Sequence, residues 1–364
     1  MLQQKAWIMR RLAFLFVFMS LTGTAAFADG LDDATLRGSS GFEAPARGAP
    51  VYAADAPYYP LEDDMPVKAP VFQPVAPAVR EIWVDVGGRF WYSTGTFSKD
   101  LYGDPRFSND LLSRLTYGAL SGRSYEMFGR VDHVSGFFLK GYAALGSISA
   151  GTLHDEDFPP GLSPYSNTLS DQQNGKLSYF TLDYGYNFLL TPMYRVGAFV
   201  GYNIFNESEN AYGCTQTQSN PFVCVPTIPH SVLGITENSR WQSIRLGLAA
   251  DTLLFDCIKI GGDAAWVPRT YLRSFDTHWL RPDFFSPIYE SAQGSGAQFE
   301  AFATYNFNPA FSVGVGARYW RLTAKGTIDV EDAALFAGAV PNPGTFYTDR
   351  YGVYAQASYK FGLD

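Results

Sequence analysis

Two short polar triplets hold the groups best suited to chemistry in this chain: Asp155-Glu156-Asp157 and Asp276-Thr277-His278. In an extended backbone, residues i and i+2 point to the same side. The first triplet therefore offers a pair of carboxylates, and the second a carboxylate beside an imidazole. An imidazole oriented by an acid is a general base, while two neighbouring carboxylates share a proton or position a water. The four groups together suit hydrolysis by an activated water, with neither a covalent nucleophile nor a metal. Taken singly, each triplet has a plainer reading: Asp-x-His as polar loop surface, Asp-Glu-Asp as a solvated acidic patch or weak calcium site. His154 and His230 read as solvated loop residues, and His133 sits by a short turn. The triplets are far apart in sequence, so only a fold that closes on itself makes them a site.

The N-terminus has a basic start, Arg10-Arg11, then an apolar run from Leu12 to Leu21 and the small-x-small pattern Ala26-Phe27-Ala28. This predicts a signal peptide over 1–28, cleaved after Ala28. No later segment has the ~18 consecutive apolar residues of a transmembrane helix. Residues 29–80 shift to Ala, Pro and short acidic patches, as in Gln73-Pro74-Val75-Ala76-Pro77, and are predicted to form a disordered or polyproline-like periplasmic tether. Aromatics make up 16% of the chain, with 23 Tyr and 29 Phe, yet the mean hydropathy is only −0.08. That combination suits a barrel whose strands face lipid on alternate residues. A net charge of −8 argues against nucleic acid as a partner. Cys214 and Cys224 fall in one polar stretch, where a bridge would close a small ring worth roughly 2–3 kcal/mol. Cys257 stands alone, and no His accompanies the cysteines at ligand spacing, so no metal centre is expected.

After Arg80 the chain alternates with period two. Tyr351, Val353, Ala355, Ala357, Tyr359 and Phe361 share one face, and similar ladders run through Phe311–Tyr319, Phe299–Phe307, Val196–Ile204 and Phe180–Phe188. Opposite faces carry Asp183, Arg245, Lys259, Asp263, Glu300 and Arg318. A soluble β-sandwich also alternates, but its outer face is rarely so aromatic; lipid outside and a polar lumen inside require this pattern. Short turns at His133–Gly136, Leu190–Pro192, Phe255–Asp256 and Asn308–Pro309 alternate with polar loops at about 101–108, 151–175, 206–238, 276–295 and 327–346. These connections predict an all-β fold: a ten-stranded antiparallel transmembrane β-barrel over 81–364 in the bacterial outer membrane, with long extracellular loops, standing well above the bilayer. Strands three and seven nearly face each other across such a ring, which places both triplets at the external rim.

On these residues the chain resembles the omptin family of outer-membrane proteases, ten-stranded barrels with an Asp-x-Asp pair facing an Asp-x-His pair. Ser113-Arg114-Leu115-Thr116-Tyr117 looks like the family's Ser-x-Leu-x-aromatic stretch. Leu153–Phe158 resembles its Asp-x-Asp segment, and Asp256 through Ile260-Gly261-Gly262 to Trp266 the strand leading into the His motif. The resemblance covers most of 81–364. It implies an endopeptidase acting on peptides or proteins outside the cell, as a monomer, with Asp276 and His278 as the water-activating dyad and Asp155 and Asp157 as the opposing pair. It also implies a substrate pocket near Asp100 and Ser274; Ser274 stands where the family has an acid that favours basic residues. No cofactor is implied beyond lipopolysaccharide, bound outside the barrel and needed for activity. The competing reading is a barrel without catalysis, acting as an adhesin or a narrow porin.

Overall fold

The computed structural model describes residues 81–281, 286–330 and 340–363. The signal peptide and tether predicted over 1–80 lie outside the described residues. Eleven antiparallel strand segments follow in order: β1 (Ile82–Tyr102), β2 (Leu111–His133), β3 (Phe137–Asp157), β4 (Ser166–Gln172), β5 (Gly175–Leu190), β6 (Tyr194–Gln216), β7 (Ile228–Leu254), β8 (Ile258–His278), β9 (Ile288–Asn306), β10 (Phe311–Asp329) and β11 (Asn342–Leu363). Except for β4 and β5, each pairs with its sequence neighbour, and β1 returns to β11 from Ile82↔Leu363 to Leu101↔Gly344, which closes the ring. Closure leaves no unpaired edge, the condition for strands to cross a bilayer.

The sequence predicts ten strands, and the structure has ten ring positions with one of them divided. Both β4 and β5 lie between β3 and β6: β5 pairs with Phe137–Ile148 of β3, and β4 with Thr152–Asp157. The break falls at Gln173-Asn174, where Asn174 takes a left-handed φ of 52°, a conformation Asn tolerates better than most residues. The short turns fall as expected. The long loops are shorter than expected, because strand continues through much of 151–175 and 206–238.

The reason lies in where lipid ends. Outward-facing Tyr125, Met127 and Leu145 are each 74–79% exposed, and Tyr184, Tyr186, Val200, Leu248, Tyr305, Val315 and Val353 continue the apolar belt around the turn half of the barrel. So large a contiguous apolar surface needs lipid rather than water against it. The nine full-length strands run 19–27 residues, against the ~9–11 needed to cross hydrocarbon. Above the belt the outer strand face meets water, so the outward apolar half of the alternation fades while the backbone ladder persists.

Inside, the barrel is filled. Arg318 bridges Glu126 (2.8 Å) and Glu300 (2.6 Å), and Arg350 pairs with Glu207 (2.6 Å). Buried charges persist only when paired in this way. Trp91, Tyr179, Phe205 and Trp320 meet with ring centroids 5.1–5.6 Å apart, and the Arg318 guanidinium lies 5.0 Å over Trp91. This plug separates a cavity of about 870 Å³ at the turn end from the rim.

Candidate active site

Strand parity builds the rim. On β3, Leu153 is buried and His154 exposed, so Asp155 and Asp157 turn inward; on β8, Ser274 and Asp276 are buried, Phe275 is exposed and His278 follows inward. Both triplets are the last rungs of their strands rather than loop residues. Asp155 stands opposite Leu115 and Asp157 opposite Ser113 of β2, and the Ser113 hydroxyl bonds the Asp157 carboxylate. His278 Nε2 lies 3.1 Å from Asp276 Oδ2. All four groups stand beyond the lipid belt, and they sense each other electrostatically across the mouth.

The structure adds residues that the sequence reading missed. Lys99 of β1 reaches across the lumen, and its Nζ lies 2.6 Å from Glu237 Oε2, 2.8 Å from Asp276 Oδ2 and 2.6 Å from Glu290 Oε1. The three carboxylates lie within 4.8 Å of one another, close enough to hold a divalent cation, but the ammonium already occupies their centre. Tyr117 and Glu209 complete the buried surround; the Tyr117 hydroxyl, both Glu209 oxygens, Asp276 Oδ1 and Glu290 Oε2 have no hydrogen-bond partner among the described residues. Glu237 and Glu290 lie in stretches that read as loop. Lys99 was recoverable from parity, since Trp91, Ser93, Phe97 and Lys99 share one buried face.

Parity also corrects the expectation for Asp100. Its side chain leaves the lumen and meets Arg114, with Oδ1 and Oδ2 accepting from Nε and Nη2 at 2.7 and 2.9 Å on the outer wall. The lumen position at the top of β1 belongs to Lys99, of opposite charge. Ser274 does face inward, its hydroxyl within hydrogen-bond reach of Glu237 and of the Asn238 carbonyl (2.9 Å). Cys214 and Cys224 are disulfide-bonded, with Cα atoms 5.7 Å apart, joining β6 to the loop that precedes β7. Outside the site, His230 Nδ1 contacts Asp171 at 2.6 Å on an exposed surface, and His133 bonds Ser135 at its turn.

The electrostatics separate an acid from a base. Burial alone would raise Asp276, but the Lys99 ammonium and then His278 hold its carboxyl well below the usual range. Burial lowers the His278 imidazole, yet Asp276, with a smaller part from Asp155, outweighs burial and the opposing Lys99, leaving it raised. Desolvation and then repulsion from Asp157 push the Asp155 carboxyl up to about 7, and desolvation also raises Asp157. Lys99 is held well above its ordinary value: its burial is outweighed by Asp276, Glu237 and Glu290. At neutral pH the rim thus sets a carboxylate-bound imidazole against a carboxyl pair able to retain a proton, the arrangement of a base facing an acid.

No family model and no curated protein matches the chain. Among solved structures it is similar to the outer membrane protease OmpT from Escherichia coli, with a TM-score of 0.62 and 14% identity, covering 77% of this chain and 97% of that one. The outer membrane protein OprG from Pseudomonas aeruginosa aligns with a TM-score of 0.36 and 12% identity over 78% of this chain and 97% of its own. The attachment invasion locus protein Ail of Yersinia pestis aligns with 0.26 and 9% over 76% and 98%. The likeness to OmpT at such identity speaks for architecture, and it agrees with the closed ring and the apolar belt: the chain folds as a bacterial outer-membrane β-barrel.

Proposed function

We propose that this barrel is an omptin-like endopeptidase that hydrolyses peptides outside the cell. The observation that carries this reading is the Asp276–His278 contact at 3.1 Å, set at the rim of a plugged barrel opposite Asp155 and Asp157. With Nε2–H donated to Asp276 Oδ2, the imidazole takes a proton from water through Nδ1, and that water attacks the peptide carbonyl. The Asp155–Asp157 pair, holding a proton near neutrality, positions the water and delivers a proton to the leaving amine. No covalent enzyme intermediate forms. The likeness to an outer membrane protease supports the reading, and the aromatic plug speaks against the porin alternative.

Lipopolysaccharide fits the same reading. Lys176, Arg240 and Arg273 line an outer groove of about 240 Å³ just above the apolar belt, and Arg240 stands directly opposite Arg273 on β7 and β8. Like charges in that register repel, and an anionic lipid headgroup would relieve them. The test is to purify the full chain from outer membranes, add lipopolysaccharide, and assay a mixed peptide library beside His278→Ala. Cleavage by the wild type alone supports the enzyme. Equal cleavage by both, or by neither, leaves a structural barrel.

A further inference from the structure

The Asp276 carboxylate is held in an unusual way. Its Oδ2 is within reach of both Lys99 Nζ, at 2.8 Å, and His278 Nε2, at 3.1 Å, while its Oδ1 is buried without a partner among the described residues. One oxygen therefore carries all the side-chain bonds that fix the group. Its neighbours are hostile to a negative charge: Glu237 stands directly opposite on β7, and Glu209 directly opposite Glu237 on β6. Three acids side by side in one register row repel one another. Lys99 is the cation that joins Glu237 and Asp276, and it comes from the far side of the ring, so its side chain is committed to this cluster.

We propose that Lys99 is a positioning residue of the rim site: its ammonium shares Asp276 Oδ2 with His278 and, as a nearby positive charge, sets how readily the imidazole gains a proton. This rests on the reading of His278 as the base. The charged and titratable groups facing His278 are Asp276 on its own strand, Asp155 and Asp157 of β3, Lys99 of β1, and, around Asp276, Glu237 of β7, Glu290 of β9 and Tyr117 of β2, with Arg281 just beyond β8. Against this set Lys99 opposes the acids. Without it, Asp276 keeps His278 as its one basic partner, and the pair becomes a plain carboxylate–imidazolium contact that resists losing its proton.

The experiment is an NMR titration of histidine-labelled full chain in lipopolysaccharide-containing micelles, with His278→Ala assigning the signal among the four histidines. Wild type, Lys99→Met and Lys99→Arg are compared. The His278 midpoint should rise by about one pH unit in Lys99→Met, the scale of one charge neighbour at this range, and return in Lys99→Arg. Should Lys99→Met fail to fold, Lys99→Met is made with Glu237→Gln and Glu290→Gln, which removes the surplus acids and leaves Asp276; the reference is then the Glu237→Gln, Glu290→Gln pair. The same upward shift is expected. An unmoved or lowered midpoint, or Lys99→Arg behaving like Lys99→Met, overturns the proposal. If the wild type cleaves peptides, the acid limb of kcat/KM should move with the titration, whereas a merely structural lysine would lower activity equally at every pH. A wild type that cleaves nothing would remove the proposed function, and the titration would still report on Lys99.

Discussion

Glu237 and Asp276 stand directly opposite each other on β7 and β8, and Lys99 Nζ touches both, at 2.6 and 2.8 Å. One ammonium thus serves two facing carboxylates and a third, Glu290, at 2.6 Å. A single cation cannot neutralise three buried acids, so part of the cluster must take up protons. Glu290 shows this: desolvation and then Glu237 push its carboxyl up to about 8, in spite of Lys99.

That shift makes rim stability depend on pH. Folding favours protonated Glu290, so its contribution is fully present below the unfolded value of ~4.5 and is lost as pH rises toward 8. Amides of 274–278 and 288–292 should exchange faster with solvent at about pH 8.5 than at about pH 5, after correction for intrinsic rates. Glu290→Gln should flatten that dependence. Identical corrected profiles for wild type and variant would remove the claim.

The second prediction concerns turnover. His278→Ala should lower peptide cleavage by at least ~10²-fold, the usual cost of losing a general base. Asp276→Asn should cost about as much or less, since the ring survives but loses its orienting charge. Asp155→Ala and Asp157→Ala should each impair cleavage, because water and leaving group are handled from both walls. Heat-modifiable gel migration would verify that every variant still forms the barrel. Full activity in a folded His278→Ala sinks the mechanism.

The pH profile follows from the raised His278 and the Asp155 carboxyl near 7. On the proposed mechanism cleavage requires neutral imidazole, so it should fall as pH drops through a midpoint above the ordinary ~6.5. It also requires the proton on the Asp155–Asp157 pair, so it should fall again on the alkaline side, giving a narrow bell near neutrality. Asp157→Asn removes the repulsion that helps raise Asp155, so residual activity should show its alkaline limb displaced toward acid. A limb that stays in place under Asp157→Asn would take the acid role from Asp155.

The fold was legible wherever lipid dictated the outer face. The ladders Phe180–Phe188 and Val196–Ile204 mark β5 and β6, and every short turn lies where Gly, Pro or Asp breaks the pattern. Legibility stopped at the top of the belt. Beyond Phe205 on β6 and Trp241 on β7 the apolar ladder breaks up among polar residues, so residues 206–216 and 228–238 read as loop although they are strand. Glu209 and Glu237 were hidden there. The Asp276–His278 and Asp155–Asp157 pairs were visible because two residues per repeat is enough to define a face. Asp100 misled because a motif position was matched without its parity: one residue away, Lys99 holds the lumen. No local pattern announces that a lysine on β1 will reach an acid on β8, since that contact depends on closing the ring.

The last prediction separates a plugged enzyme from a pore. Four aromatic rings, Trp91, Tyr179, Phe205 and Trp320, meet at 5.1–5.6 Å across the lumen. Arg318 is locked among them by Glu126 and Glu300 at 2.8 and 2.6 Å. An ion passing from the rim to the turn-end cavity would have to displace both the rings and a fully paired guanidinium. Parting such a buried pair leaves uncompensated charges in the lumen, so the open arrangement is strongly disfavoured. The full chain in planar bilayers should therefore show no steady conductance. Glu126→Ala with Trp320→Ala, which removes one of the guanidinium's two carboxylates and opens the ring cluster, should produce intermittent openings. Steady conductance from the wild type would place the molecule among pores, and a silent double variant that still inserts would show that the closure lies elsewhere in the lumen.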